Sequence, residues 1–222
     1  MHFGRHILLR LFSFVWLYSK EFESIMRVNF VSYNPMSCRD PIRMESILQE
    51  FKCFNIVCLN GTQQGCKTET TTVPVKCCGY TVLNFCYIQG SKFTNRSCGC
   101  VIAIKISCFP KVHKLYEPVG SDAGIRGRVG ALRITRADID ILIITFYLPP
   151  DDSKPKSKHI SSLVLEWISK LVRKMPRRCN VVFGADCNAK IGTDKFGNLF
   201  NPHIGECEAD CENSNAVLLR QM

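Results

Sequence analysis

The chain reads as one layered α/β domain, and three observations predict it. Several apolar, β-branched runs stop abruptly in polar turns, as buried strands do. Two segments instead repeat apolar residues at helical spacing. With 222 residues and 46% hydrophobic content, the chain can bury one substantial core. Strands and amphipathic helices in that mixture pack as layers, because every sheet face and helix stripe needs a cover.

Residues 7–18 are apolar and follow basic residues, but Arg10 interrupts them and they are too short to span a bilayer. No small-residue cleavage site follows, Ser19-Lys20-Glu21-Phe22-Glu23 being unsuited. Residues 1–26 are therefore expected to be an extension outside a domain of residues 27–222 that is incomplete at its C-terminus, with a signal peptide disfavoured and an intracellular, nuclear or cytoplasmic, location. Residues 27–34 alternate as a half-buried strand. Asp40 before Pro41 suits an N-cap with proline opening the helix. Ile42, Met44, Ile47, Leu48 and Phe51 carry that helix to about Lys52.

Residues 55–62 are a buried strand running into a turn, and a polar connection covers residues 63–72. Strands are expected near residues 81–88 and 101–107. A mobile basic loop is expected over residues 124–130, before strands at 131–135 and 139–147 that Pro149 and Pro150 terminate. Residues 151–158 read as a charged linker. Ile160, Leu163, Val164, Trp167, Ile168 and Leu171 mark a second helix, with Trp167 in the core.

The chemistry concentrates in Val181-Val182-Phe183-Gly184-Ala185-Asp186-Cys187-Asn188-Ala189. A strand has period two, so Asp186 and Asn188 can face the same way at its carboxyl end. Many α/β hydrolytic sites present an acid and an amide at such a rim. Asp and Asn also suit an ordinary turn, where they bond their own backbone. Three further strands end in polar residues in order: Asn34, Thr62 and Tyr147.

This succession resembles the endonuclease/exonuclease/phosphatase superfamily, and within it the apurinic-type endonuclease domain of LINE-type retrotransposons. The resemblance runs from Arg27 to the C-terminus. It implies a four-layered α/β/β/α sandwich that lacks its last strands. In that family the first strand-end asparagine, matched by Asn34, helps hold a divalent metal and the scissile phosphate. The tyrosine of a Tyr-x-Pro strand end, matched by Tyr147, supports the phosphate as charge develops. A Gly-Asp-Phe-Asn motif supplies an aspartate that orients water, matched by Asp186, and a phosphate-binding asparagine, matched by Asn188. Ala185 and Cys187 replace its glycine and aromatic, and residues 189–192 look like the basic tail of the retrotransposon branch.

The resemblance thus implies Asp186, Asn188 and Tyr147 as catalytic, Asn34, Tyr147 and Asn188 as phosphate-binding, and Asn34 with Asp186 as metal-binding. The implied cofactor is a weakly held Mg²⁺, with Mn²⁺ as substitute. Two departures weaken the pattern. Gly61 stands where the family has its metal-binding glutamate, and glycine offers Mg²⁺ no oxygen from a side chain. The closing Ser-Asp-His motif is absent, and His203 lies in a loop-like Pro202-His203-Ile204-Gly205 setting. Hydrolysis is therefore expected to be impaired, and the alternative is a non-catalytic nucleic-acid-binding remnant.

A net charge of +10 favours polyanions, so DNA is the expected partner, with RNA offering the same phosphates. Basic residues include Lys105, Lys111, Lys114, Arg126, Arg128, Arg133 and Arg136, with clusters at 154–158 and 173–178. No aromatic-rich stripe indicates base-specific reading; the charge indicates phosphate contact. The 14 cysteines are an even count that invites a disulfide reading, yet they are scattered through strands and turns in a chain long enough to need no staples, so both free thiols and disulfides stay open. His203, Cys207 and Cys211 repeat every four residues but lack a fourth zinc ligand.

Overall fold

A computed structural model describes residues 14–16, 27–68, 71–90, 97–111, 114–136, 139–150, 154–189 and 213–221. Twelve strands are described: β1 (Phe14–Trp16), β2 (Arg27–Tyr33), β3 (Ile56–Asn60), β4 (Gly65–Cys66), β5 (Val75–Cys77), β6 (Tyr80–Phe85), β7 (Tyr87–Ile88), β8 (Cys100–Lys105), β9 (Lys114–Tyr116), β10 (Val129–Thr135), β11 (Asp140–Tyr147) and β12 (Asn180–Asp186). The helices are α1 (Pro41–Glu50), α2 (Pro155–Arg173) and α3 (Ser214–Arg220). A six-stranded sheet runs β1-β2-β3-β8-β6-β5, a four-stranded sheet β12-β11-β10-β9, and β4 pairs with β7.

Side-chain alternation builds the layers. Ile56 and Cys58 of β3 join Ile141 and Ile143 of β11 in a core between the two large sheets. Val57 and Leu59, facing the other way, pack with Met44, Ile47 and Leu48 of α1. Leu142, Ile144 and Phe146 turn outward beneath Val164, Ile168 and Leu171 of α2. The result is the expected α/β/β/α sandwich. Each fully buried aliphatic side chain contributes about 1.5–3 kcal/mol, so this double-sided burial fixes strand register.

Local signals behave as their chemistry requires. The Asp40 carboxylate accepts the Ile42 N–H at 3.0 Å, capping α1 with Pro41 in its first turn. Tyr80 ties the other end down, its one hydroxyl proton shared between the Phe51 and Phe54 carbonyls at 2.9 and 2.7 Å. Asp140 accepts two bonds from Arg133, at 2.8 and 2.7 Å, and a third from Arg178 at 3.2 Å. Arg133 foremost holds the Asp140 carboxyl well below the usual carboxylate range.

Several expectations need correction. Phe14–Trp16 pairs antiparallel with residues 27–29 as an edge strand, so part of the expected extension joins the sheet. Its apolar residues supply the backbone partners that the outer edge of β2 needs. Residues 124–130 are no loose basic loop. A 3₁₀ turn, Gly120–Ile125, leads into Arg126 and Arg128, which are 3% and 2% exposed. Glu117 draws Arg126 inward at 3.0 Å and also accepts from the Thr72 hydroxyl at 2.7 Å. α2 begins at Pro155, inside the expected linker. α3 was not foreseen, although Asn213 caps it by accepting from the Ala216 N–H at 3.1 Å. The His203, Cys207 and Cys211 pattern lies outside the described residues.

Among the described residues the cysteines are free thiols, and no helix is long and apolar enough to cross a membrane. Burial pushes the Cys38 and Cys86 thiols up to about 11.

Gly184 sets how closely the sheets approach. A Cβ there would overlap the Cys58 side chain, 2.6 Å from its Sγ, and would lie 2.9 Å from Phe30 Cζ. Gly184→Ala is expected to cost about 1–3 kcal/mol by overpacking, read as a lower denaturation midpoint at unchanged m-value.

Candidate functional site

Two parallel strand pairs, β2 with β3 and β11 with β12, direct their carboxyl ends to one rim. Below that rim the sheets are stitched by Asn60, which is 1% exposed. Its carbonyl oxygen accepts from the Thr145 hydroxyl at 3.0 Å. Its amide donates to Ser32 Oγ at 3.2 Å and to the Gly184 carbonyl at 3.3 Å. One side chain from β3 thus reaches β2, β11 and β12.

Above this stitch the strand-end residues converge. The Met36 N–H lies 2.9 Å from Asn34 Oδ1. An N–H only donates, so the facing atom is the amide oxygen and the Asn34 NH₂ points the other way. That NH₂ donates to Asp186 Oδ2 at 2.6 Å. The other carboxylate oxygen, Oδ1, accepts the Asn188 N–H at 3.1 Å. Asp186 is held by an N–H on each oxygen, and a bond spanning 152 residues of sequence joins the rims of the two sheets.

Asn188 has φ +43°, a left-handed conformation that Asn tolerates better than most residues. Its amide donates to the Leu148 carbonyl at 2.7 Å. Its own carbonyl accepts from Asn213 at 2.8 Å, just ahead of α3. Asn215, 2% exposed, donates to the Pro149 and Cys187 carbonyls, both at 3.0 Å, and accepts from Ser161 of α2 at 2.9 Å. The loops after β11 and β12 are therefore clamped together by two asparagines from one short segment.

Tyr147 stands beside Asp186 in register on the adjacent strand. Burial chiefly pushes its phenol above the ordinary tyrosine value, and the Asp186 charge adds to the rise. Hydrogen bonds with Ser97 and Asn188, and the charge of Arg128, act against it. The phenol is neutral at physiological pH and available as a donor. Arg128 lies 5.8 Å from the Tyr147 ring centre and donates to its carbonyl at 3.5 Å. Asn34, Tyr147, Asp186 and Asn188 thus meet at one rim. Sequence reasoning missed Asn60, Arg128, Asn213 and Asn215. Only Asn213 carried a readable signal, as a helix cap before an apolar run.

The implied metal does not fit this donor set. Gly61 has φ +68°, and a Cβ added there would stand 2.9 Å from Asn34 Oδ1. Gly61, where the resemblance places a glutamate, thus lies beside Asn34, offers no side-chain oxygen, and has a backbone that any side chain would strain. Asp186 is the one carboxylate at the rim among the described residues, and both its oxygens already accept N–H groups. No three His, Cys, Asp or Glu side chains cluster among the described residues. Mg²⁺ prefers several hard oxygens in near-octahedral array, and Asn34 presents its NH₂, not its oxygen, toward Asp186.

Gly61→Glu is expected to destabilise the fold by about 1–3 kcal/mol through its left-handed backbone. Calorimetric titration should show no tight Mg²⁺ binding gained. Tyr147 gives a pH test. Its folded value is raised, so its contribution to stability is complete below the ordinary value of about 10 and is lost as pH rises through the folded value. Asp186→Asn removes the negative charge and should lower the Tyr147 titration midpoint, followed by NMR of labelled tyrosine.

No family profile and no curated protein matches the chain. Solved structures do. An AP endonuclease from Archaeoglobus fulgidus superposes with a TM-score of 0.51 at 20% identity, over 74% of this chain and 59% of that one. The APE2 catalytic domain of Xenopus laevis superposes with a TM-score of 0.54 at 15% identity, over 86% of this chain and 66% of that one. The chain spans less than two thirds of the length of either. At these identities the likeness is one of architecture, and the α/β/β/α sandwich seen here is the fold of those AP endonucleases.

Proposed function

We propose that this domain binds nucleic-acid phosphodiesters, DNA foremost, and hydrolyses them weakly, as a relic of a LINE-type retrotransposon endonuclease. The convergence of Asn34, Tyr147, Asp186 and Asn188 at one rim carries the reading. Phosphodiester cleavage needs donors where negative charge develops and an acceptor that positions the attacking water. The neutral Tyr147 hydroxyl and the Asn34 and Asn188 amides are donors. Asp186 is the acceptor, its two oxygens fixed by the Asn34 amide and the Asn188 N–H. The fold of the AP endonucleases supports this reading by analogy.

Hydrolysis is weak because the rim lacks the donors that would hold the implied Mg²⁺ or Mn²⁺. Losing one transition-state contact costs about 3 kcal/mol, or roughly a hundredfold in rate. Both Asp186 oxygens also carry N–H bonds, which lowers its strength as a base. That same observation favours the second reading, a remnant that binds nucleic acid without cutting it. Exposed Lys154, Lys156 and Lys158, which follow β11 on the rim side, provide non-specific phosphate contacts.

Supercoiled plasmid separates the readings. DNA binding should weaken steeply with salt. Nicking should be slow and be abolished by Asp186→Ala at unchanged fold. Binding without nicking, with or without added Mg²⁺, selects the remnant. No binding at low salt, or nicking that survives Asp186→Ala, refutes the proposal.

A further inference from the structure

Met36 combines a left-handed backbone with a large exposed apolar side chain. Its φ is +65°, a region in which glycine is the ordinary occupant and a large side chain is disfavoured. Such a cost is normally offset by packing, yet the Met36 side chain is 72% exposed. The backbone is nevertheless pinned on both sides. Its N–H donates to Asn34 Oδ1 at 2.9 Å, and its carbonyl accepts from Gln63 Nε2 at 2.6 Å. Gln63 is itself left-handed, at φ +61°.

Further bonds fix the surrounding strap. Cys38 N–H donates to the Thr62 carbonyl at 2.7 Å, Gln64 Nε2 to the Cys38 carbonyl at 2.7 Å, and Arg43 to the Pro35 carbonyl at 2.7 Å. Arg39 is exposed and donates through Nε to the Gln63 carbonyl at 3.1 Å. A strained, rigidly held residue with a free apolar side chain thus projects from the rim. It is one hydrogen bond away from the Asn34 amide, and an exposed guanidinium lies three residues on. Backbone strain of this kind collects at functional sites, and the inference runs from the observed outlier to a role.

We propose that Met36 is a nucleobase-contacting residue: its thioether packs on the face of the base beside the phosphodiester bound at Asn34 and Asp186. The assignment rests on the phosphodiester reading and adds to it a preference for strands that carry bases. A thioether is soft and polarizable and favours aromatic faces without reading base edges. Every base has such a face, so the contact discriminates base from no base, not one sequence from another. A base next to the bound phosphate lies within reach of a side chain rooted beside Asn34, while Arg39 complements the flanking phosphate.

The test compares two probes by fluorescence anisotropy: a short single-stranded oligodeoxynucleotide, and an oligomer of equal length made of base-free abasic units. Wild-type protein should prefer the base-bearing strand by about tenfold, the scale of one stacked base. Met36→Gly should bind both probes at the base-free level, and Met36→Leu should keep most of the preference. Met36→Gly should also melt no lower than wild type, because glycine relieves the left-handed backbone. Equal wild-type binding of both probes, or a preference that survives Met36→Gly, overturns the Met36 assignment and leaves the phosphodiester reading standing. So does an equal fall in affinity for both probes in Met36→Gly, which would mark a role in phosphate binding or structure. Wild-type binding to neither probe overturns the phosphodiester reading and the assignment with it.

Discussion

The face-to-face seating of the two large sheets is the constraint from which the rest of this molecule follows. Hydrophobic burial drives that seating but is non-directional, and it would tolerate some sliding of one sheet over the other. Asn60 removes that freedom. It bonds Ser32, Thr145 and the Gly184 carbonyl, and Gly184 lets β12 come near enough to be reached. With the sheets locked at this depth, Asn34 and Asp186 come within one hydrogen bond of each other. A buried carboxamide with partners on both its atoms acts as a registration pin, and its cost is contained because none of its polar atoms is left bare.

The architecture was legible because its signals are periodic and local. Alternation in residues 27–34, helical spacing from Ile160 to Leu171, and the Asp40-Pro41 cap each specify an element without help from distant sequence. Burial of Trp167 only in part shows the limit of periodicity, which marks a face but not its centre. The four rim residues were legible because polar chemistry at a strand end is visible wherever an apolar run stops. Their supports were not. Asn60 reads in the sequence as part of a turn, and Arg128 as one charge in a basic loop, yet both are buried. Their roles depend on partners in other elements, which no window of sequence contains.

Charge shows the same division. The surplus of basic residues points correctly to a basic molecule, but it does not say where the charge acts. Arg126 is spent on Glu117, and Arg133 on Asp140. Buried ion pairs of this kind return little net stability over apolar packing, though removing one partner is costly. They secure β10 and the approach to it. The exposed surplus is spread elsewhere over the surface, including both ends of α2 and Arg39 on the strap near Met36.

The clamp formed by Asn213 and Asn215 has a temporal consequence. Asn188 keeps its left-handed shape with a carbonyl bonded to residues that follow it by 25 and 27 positions. During synthesis both sheets can therefore close before the rim acquires its final geometry, since α3 emerges after every strand described here.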